Sequence, residues 1–242
     1  MLILVRSIVF NVLFYLNTLV YLVIALPTFF MPYRAILAVA KSWGRTNLVL
    51  LRVAGIDCEI RGREKIPQGP LIVAAKHQSA WETFALISLF DNPLFIVKRE
   101  LQWIPIFGWL MIKGRMVPID RSAGSQALST MTKRARVELS AGRQLIIFPE
   151  GTRRPAGAEP RFKFGVAHLY ASTGVPCVPI ALNSGLFWPR RSIRLRPGTV
   201  LVEILDPIQP GLDKDEFFER LQHDLETATA RLLVESENKR TR

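Results

Sequence analysis

The chain has 242 residues, of which 49% are hydrophobic, so it can bury the core of one sizeable domain. Its net charge is +12, and 23 of its 32 basic residues are arginine, whereas residues 203–242 carry 6 basic and 10 acidic side chains. This positive charge would suit binding to nucleic acid, to an anionic membrane surface or to a phosphorylated small molecule. Charge alone does not distinguish among these partners. The only two cysteines, Cys58 and Cys177, exclude a disulfide framework and a cysteine-based metal site; we expect both to be buried free thiols.

The N-terminal segment has the features of a membrane attachment. Residues 7–33 contain no charged side chain and are long enough to cross a bilayer. Residues 35–53 mix apolar side chains with Lys41, Arg45 and Arg52, which is typical of a basic amphipathic helix at a membrane interface. We predict a membrane-associated helical hairpin over residues 1–55 that spans or dips into the membrane. The alternative is an ordinary buried core helix.

The rest of the chain, residues 56–242, alternates strand-like and helical segments. Helices are predicted at residues 122–141 and 164–173, and a final amphipathic helix carries Phe217 and Leu221 on its apolar face. This alternation predicts an α/β domain with a mostly parallel central sheet flanked by helices. Strands are predicted at residues 57–61, 71–75, 94–97, 116–119, 145–148, 177–182, 193–196 and 200–205.

One segment between the strands, residues 101–111, has the sequence LQWIPIFGWLM and is both apolar and aromatic. Exposure of such a segment would risk aggregation, so we interpret it as a core helix. Two alternatives stay open: it lines a groove for an acyl chain, or it sits in lipid.

A strand, a turn and a helix follow one another around a histidine. The buried strand 71–75 ends before His77, and Ser79 is the predicted N-cap of the following helix, with Glu82 in its first turn. Residues five apart diverge by about 140° on a helix, so His77 and Glu82 can meet only if His77 lies outside the helix. A carboxylate on one imidazole nitrogen would fix the tautomer of a general base. Alternatively, Glu82 forms a capping box with the backbone amide of Ser79.

Polar clusters follow four of the predicted strands. Ligands of open α/β sheets bind beyond the carboxyl ends of the strands, so we expect these clusters to face one crevice. The clusters are Lys76-His77, Lys98-Arg99, Asp120-Arg121 and Glu150 to Arg153.

The blocks KHQSAWE, KREL…IPIFG…R and FPEGTR occur in this order, each at a strand end, and Val178-Pro179-Ile180 follows them. Over residues 57–205 this series resembles the glycerolipid acyltransferase family, most closely its bacterial 1-acylglycerol-3-phosphate acyltransferases. The first block of that family is H-x-x-x-x-D. His77 matches it, whereas Glu82 replaces the aspartate with a side chain one methylene longer.

The resemblance implies a role for each member of the first block. His77 would deprotonate the free hydroxyl of a lysophospholipid, here lysophosphatidic acid, and the alkoxide would attack an acyl thioester to give phosphatidic acid. Glu82 would orient and stabilise the histidine. The acyl donor would be acyl-CoA or an acyl carrier protein thioester. No resident cofactor, metal or nucleic acid is expected, and the sequence leaves the oligomeric state open.

The resemblance also implies a binding site for the acceptor phosphate. Glu150, Gly151, Thr152 and Arg153 would form it, with the Arg153 guanidinium making two parallel hydrogen bonds to phosphate. Lys98 and Arg121 are predicted as secondary phosphate or positioning residues. Basic residues after the apolar N-terminal run predict that the catalytic domain faces the cytoplasm from the inner membrane.

Three other interpretations stay open at this point. The acceptor could be another lyso-lipid, including one that lacks a terminal phosphate. The protein could be a non-catalytic basic protein that binds a membrane surface or nucleic acid, in which case His77 would be dispensable. A hydrolase would use the same base to activate water.

Overall fold

The computed structural model describes residues 1–120 and 124–240. Within them, the helices and strands alternate as the sequence predicts for an α/β fold. The helices are α1 (Leu2–Ala25), α2 (Tyr33–Leu50), α3 (Trp81–Leu89), α4 (Phe107–Lys113), α5 (Gly124–Ser140), α6 (Gly165–Thr173) and α7 (Lys214–Arg240). The strands are β1 (Ile56–Arg61), β2 (Leu71–Ala75), β3 (Pro93–Lys98), β4 (Val117–Ile119), β5 (Gln144–Ile147), β6 (Cys177–Leu182) and β7 (Gly198–Ile204).

The seven strands form one sheet in the order β1-β7-β6-β2-β5-β3-β4. All neighbouring pairs are parallel except β6 and β7. β2 lies near the centre, where Val73 is opposite Ile146 of β5 and Val178 of β6. The predicted class, a mostly parallel sheet flanked by helices, is confirmed. Because β2, β3, β4 and β5 run in the same direction, their carboxyl ends lie at one edge of the sheet.

Helices cover both faces of the sheet. Successive side chains of a strand point to opposite faces, so Leu71 and Val73 of β2 face the layer formed by α1, α2 and α3. Ile72 and Ala74 face the opposite layer, formed by α5, α6 and α7. All five residues of β2 are buried, which explains why this strand has a continuous apolar run instead of an alternating one.

The N-terminal helices form the predicted hairpin, and polar side chains link its two arms. The Tyr21 hydroxyl is 2.8 Å from Ser42 Oγ, and Asn17 donates a hydrogen bond of 3.2 Å to Asn47 Oδ1. Within the described residues, Leu2–Phe30 is the one helical segment long and apolar enough to cross a membrane. Phe10 of α1 belongs to the same buried cluster as the residues of α3, so the hairpin and the sheet share one core.

The segment predicted as a strand at residues 193–196 is instead a loop that packs against α1, so this prediction is wrong. The backbone amide of Leu195 donates to Ser7 Oγ at 3.0 Å, and Asn11 Nδ2 donates to the carbonyl of Ile193 at 3.0 Å. Side chains of a helix therefore satisfy backbone groups that a neighbouring strand would otherwise pair. Leu195, an apolar residue that contributed to the strand prediction, is nevertheless buried in this loop.

The prediction of a core helix at residues 101–111 is also wrong. A 3₁₀ turn covers Arg99–Trp103, and α4 begins only at Phe107. Leu110 and Met111 are buried, but the large side chains of Trp103, Ile104, Phe107 and Trp109 are exposed.

The two cysteines differ in their surroundings. Cys177 is buried at the start of β6, as predicted. Cys58 is exposed, which corrects the expectation of a buried thiol. The reason is its position on β1, an edge strand in which Asp57, Cys58 and Glu59 are all exposed.

Candidate active site

The site lies at the carboxyl edge of the sheet, where β2 leads into α3. α3 begins at Trp81, with Ala80 in the N-cap position. The predicted cap, Ser79, lies one residue earlier, and its Oγ accepts a hydrogen bond of 2.8 Å from the Trp81 amide. His77 is therefore outside the helix, on the turn between strand and helix.

His77 and Glu82 are in direct contact, as the strand–turn–helix pattern predicts. The His77 Nδ1 atom is 3.1 Å from Glu82 Oε2. The Glu82 side chain is completely buried, whereas the imidazole is partly exposed. A carboxylate accepts a hydrogen bond, so the contact assigns the proton of the neutral ring to Nδ1 and leaves Nε2 basic. The longer glutamate therefore reaches the histidine.

The same carboxylate also forms the capping box that was the alternative interpretation. The Ser79 amide donates to Glu82 Oε2 at 3.0 Å, and the Gln78 amide lies 3.4 Å from Oε1. The Ser184 hydroxyl, 102 residues away in sequence, donates to Oε1. The two interpretations are therefore compatible, because one carboxylate accepts several hydrogen bonds.

An aromatic ring fixes the plane of the imidazole. Phe148, at the end of β5, stacks on His77 with 3.9 Å between ring centroids and 12° between planes. With Glu82 at Nδ1 and Phe148 against one ring face, His77 is held from two directions. Such packing restricts the rotation of the imidazole and so preorganises it.

Glu150 is placed differently from the rest of its block. Its side chain is 1% exposed, and Oε1 is 2.8 Å from Lys76 Nζ. Oε2 accepts a hydrogen bond of 3.0 Å from the His77 amide, and Glu226 of α7 contacts the same ammonium at 2.7 Å. The prediction that Glu150 binds substrate is therefore revised: its carboxylate holds the backbone of His77 and neutralises buried Lys76.

The other three residues of the predicted phosphate site, Gly151, Thr152 and Arg153, line a cavity of about 720 Å³ together with His77. Gly151 has a φ of +67°, a conformation that favours glycine, and turns the chain here. Thr152 is exposed, and Arg153 is half-buried.

Arg190 is the second arginine on this cavity, and its Nη1 donates to the Arg153 carbonyl at 3.3 Å. Burial lowers the pKa of the Arg153 guanidinium; Glu82 opposes this shift and Arg190 adds to it. Arginine stays charged in proteins, so this part of the cavity holds positive charge that an anion would compensate.

Of the two secondary predictions, Lys98 lies on the cavity and Arg121 falls outside the described residues. Lys98 is exposed and pairs loosely with Glu100, with 3.5 Å between Nζ and Oε1. Its neighbour Arg99 forms an ion pair of 2.7 Å with Asp120 at the end of β4.

The remainder of the cavity is apolar and extends between the hairpin and α4. Phe95 and Ile87 lie near the sheet, and Leu22, Leu37 and Leu110 lie further along it. The cavity therefore combines a cationic end beside His77 with an apolar end against the N-terminal helices. This combination suits an amphiphile.

Three residues at the site were not predicted from the sequence. Phe148 is the first residue of the FPEGTR block, so its position was available as a signal. Arg190 belongs to a short basic pair that could have indicated an anion site. For Ser184 the sequence contains no signal. Within residues 1–120 and 124–240, no group of three or more histidine, cysteine or carboxylate side chains could hold a metal ion.

Together, the fold and the site define an α/β enzyme with a histidine–glutamate pair beside a cationic, apolar-walled cavity. The chain belongs to the Acyltransferase family, whose model matches residues 57–183. A 1-acyl-sn-glycerol-3-phosphate acyltransferase of Pseudomonas aeruginosa is 41% identical over 176 residues, which are 72% of this chain and 68% of that protein.

Relatives from other kingdoms carry the same name. The human 1-acyl-sn-glycerol-3-phosphate acyltransferase alpha is 31% identical over 191 residues, 75% of this chain and 68% of that protein. The protein from Cocos nucifera is 33% identical over 183 residues, 75% of this chain and 58% of its own length. This chain thus spans a little less than two thirds of the coconut relative.

A solved structure shows the same fold. The crystal structure of the 1-acyl-sn-glycerophosphate (LPA) acyltransferase PlsC from Thermotoga maritima superposes with a TM-score of 0.77. The match covers 94% of this chain and 97% of that chain at 24% sequence identity. The fold therefore includes the N-terminal hairpin as well as the sheet.

Proposed function

We propose that this acyltransferase moves an acyl chain from an acyl thioester to the sn-2 hydroxyl of 1-acyl-sn-glycerol-3-phosphate, giving phosphatidic acid. The observation that carries the proposal is the buried Glu82 carboxylate on His77 Nδ1, with His77 and Arg153 lining one cavity. The names of the relatives support the choice of acceptor.

The reaction begins with proton transfer to His77. Nε2 takes the hydroxyl proton of the acceptor as the oxygen attacks the thioester carbonyl, and Glu82 stabilises the imidazolium that forms. The tetrahedral intermediate collapses by breaking the carbon–sulfur bond. The proton on Nε2 then passes to the departing thiolate, which restores neutral His77. The products are the new ester and a free thiol.

The two ends of the cavity hold the two ends of the acceptor. Arg153 binds the phosphate, with Arg190, Thr152 and Lys98 beside it, because a guanidinium pairs with two phosphate oxygens at once. The acyl chains occupy the apolar part of the cavity. Arg121 stays a predicted secondary residue.

The same proposal includes the acyl donor and the location of the enzyme in the cell. The thioester already carries an activated acyl group, so the reaction uses no resident cofactor, and its donor is acyl-CoA or acyl carrier protein. The hairpin attaches the enzyme to the inner membrane, and the basic residues that follow it keep the catalytic domain on the cytoplasmic side.

The test is acyl transfer by the purified full chain to lysophosphatidic acid. We expect His77→Ala to lose at least about 10²-fold in rate, the usual contribution of a general base. His223→Ala, which changes an exposed histidine on α7, is the matched control and keeps full rate. Equal rates for His77→Ala and the wild type would disprove the proposed base.

An acceptor panel tests the substrate class. Lysophosphatidic acid should react faster than a lysophospholipid whose phosphate is capped by a head group. A preference for the capped acceptor would identify a different lyso-lipid enzyme. Release of free fatty acid without new ester would identify a hydrolase. Running the panel with acyl-CoA and with acyl carrier protein identifies the donor.

A further inference from the structure

The sequence LQWIPIFGWLM, expected in the core, forms an exposed apolar surface instead. Four of its large side chains, together with that of Ile112 directly after it, are between 39% and 79% exposed, with Trp103 the most exposed. Soluble surfaces seldom place so many large apolar side chains together. We call this surface the aromatic patch; its members are Trp103, Ile104, Phe107, Trp109 and Ile112.

The backbone of the patch contains a tight turn and a close contact between backbone segments. The Phe107 amide donates to the Pro105 carbonyl at 2.7 Å across Ile106, whose φ of 64° is unusual for a β-branched residue. A Cβ added to Gly108 would collide with the carbonyl oxygen of Gln102, so α4 packs directly onto the preceding turn. The exposed side chains are therefore held outward by a defined local structure.

The patch adjoins the turn of the N-terminal hairpin. Leu110, on the buried side of α4, belongs to one cluster with Ala25 and Ile36 of the hairpin. Lys113 donates a hydrogen bond of 3.0 Å to the carbonyl of Phe29. Phe30, the next residue, is 96% exposed. The patch thus continues the apolar surface of the segment that could cross a membrane.

Charge and composition indicate which partner covers the patch. Tryptophan is favoured at the membrane–water interface, and basic side chains beside an apolar surface favour anionic lipids. Arg34 and Arg115 are both exposed next to the patch and the hairpin turn. Phe107 is part of the patch and also lines the cavity. The patch is therefore placed where a lipid would pass between bilayer and active site.

We propose that the aromatic patch is a second membrane contact, separate from α1, which inserts into the bilayer interface and holds the mouth of the cavity against the lipid. The membrane contact stands on the exposed surface itself. The passage of substrate through it rests on the proposed function.

The contact is tested first with a spectroscopic signal that is independent of activity. The full chain is bound to anionic vesicles whose acyl chains carry bromine, a quencher of tryptophan fluorescence. Of the five tryptophans, Trp103 and Trp109 should account for most of the quenching. Trp103→Phe/Trp109→Phe keeps the patch apolar and should lose that fraction. Equal quenching of this variant and the wild type would overturn the proposal.

Activity then tests the passage of substrate. Trp103→Ser/Ile112→Ser should need about tenfold more vesicle-embedded lysophosphatidic acid for half-maximal rate, because it removes apolar contact area. The same variant should match the wild type on detergent-dispersed substrate. Val137→Ser changes an exposed valine on α5 and is the matched control. An equal loss in vesicles and detergent would refute the passage of substrate.

The outcomes separate this proposal from the proposed function. If no acyl transfer occurs with any acceptor, the proposed function fails, while bromolipid quenching through Trp103 and Trp109 still establishes the membrane contact. If the patch instead binds a second copy, light scattering in detergent should show a dimer that Trp103→Ser/Ile112→Ser dissociates. That result without bromolipid quenching would overturn the membrane contact.

Discussion

Replacing Glu82 with glutamine separates the two tasks of this carboxylate. Glutamine has nearly the same shape, but it lacks the negative charge and one of its two terminal atoms becomes a donor. In the wild type, Glu82 accepts hydrogen bonds from the Ser79 amide and the Ser184 hydroxyl, and it contacts His77 Nδ1. Glu82→Gln therefore changes both the helix start and the histidine.

The magnitudes follow from these contacts. A hydrogen bond to a charged group contributes about 1.5–3 kcal/mol and a neutral one about 0.5–1.5 kcal/mol, so two weakened bonds cost about 2 kcal/mol. For a chain of this size that loss lowers Tm by about 4–8 °C. Without the carboxylate, the imidazolium loses its stabilisation and its preferred tautomer. We expect kcat to fall at least about 10²-fold, or about 2.7 kcal/mol in activation free energy.

The assay measures kcat with lysophosphatidic acid and Tm on the same preparations. Ser184→Ala is the control, because it removes a donor to Glu82 and leaves the contact with His77 in place. We expect this control to lower Tm while keeping most of kcat. If Glu82→Gln lowers Tm but keeps kcat within about threefold of the wild type, Glu82 is only a cap and the reasoning is refuted.

Three further predictions concern the cavity, the buried charges and the cysteines. Arg153→Lys keeps the charge but loses the forked geometry, so KM for lysophosphatidic acid should rise about tenfold with kcat little changed; an unchanged KM would place the phosphate elsewhere. Lys76→Met leaves Glu150 buried without its partner and should cost about 3–5 kcal/mol in the free energy of unfolding, measured with urea. A loss below about 1 kcal/mol would contradict this. Desolvation raises the pKa of both thiols, to about 12 for Cys58, so accessibility decides the order in which they react: mass spectrometry after iodoacetamide treatment should find exposed Cys58 modified first and Cys177 only after unfolding.

The elements of the sheet were largely predictable because local patterns specify them. The buried run at residues 71–75 and the strand at residues 177–182 have the bounds that the sequence predicts. The predictions of secondary structure failed where the conformation depends on more than the apolar pattern of the local sequence. Leu195 has the burial of a strand residue, yet the side chains of α1 satisfy the backbone around it. In the segment before α4, the chain turns at Pro105 and Ile106, so α4 begins only at Phe107, and the side chains of Trp103 and Ile104 are exposed.

The sequence by itself determined that His77 and Glu82 can meet, because the turn between β2 and α3 involves only neighbouring residues. It also determined the end of the sheet at which the site lies, because parallel strands share a carboxyl edge.

Only the tertiary structure decided which way the neighbouring side chains point. Glu150 turns toward Lys76, 74 residues away, which also pairs with Glu226, instead of toward the cavity. Ser184 reaches Glu82, and Arg190 reaches the carbonyl of Arg153. These contacts join residues far apart in the chain, and their direction depends on how strands and helices pack. Local sequence patterns do not contain that information.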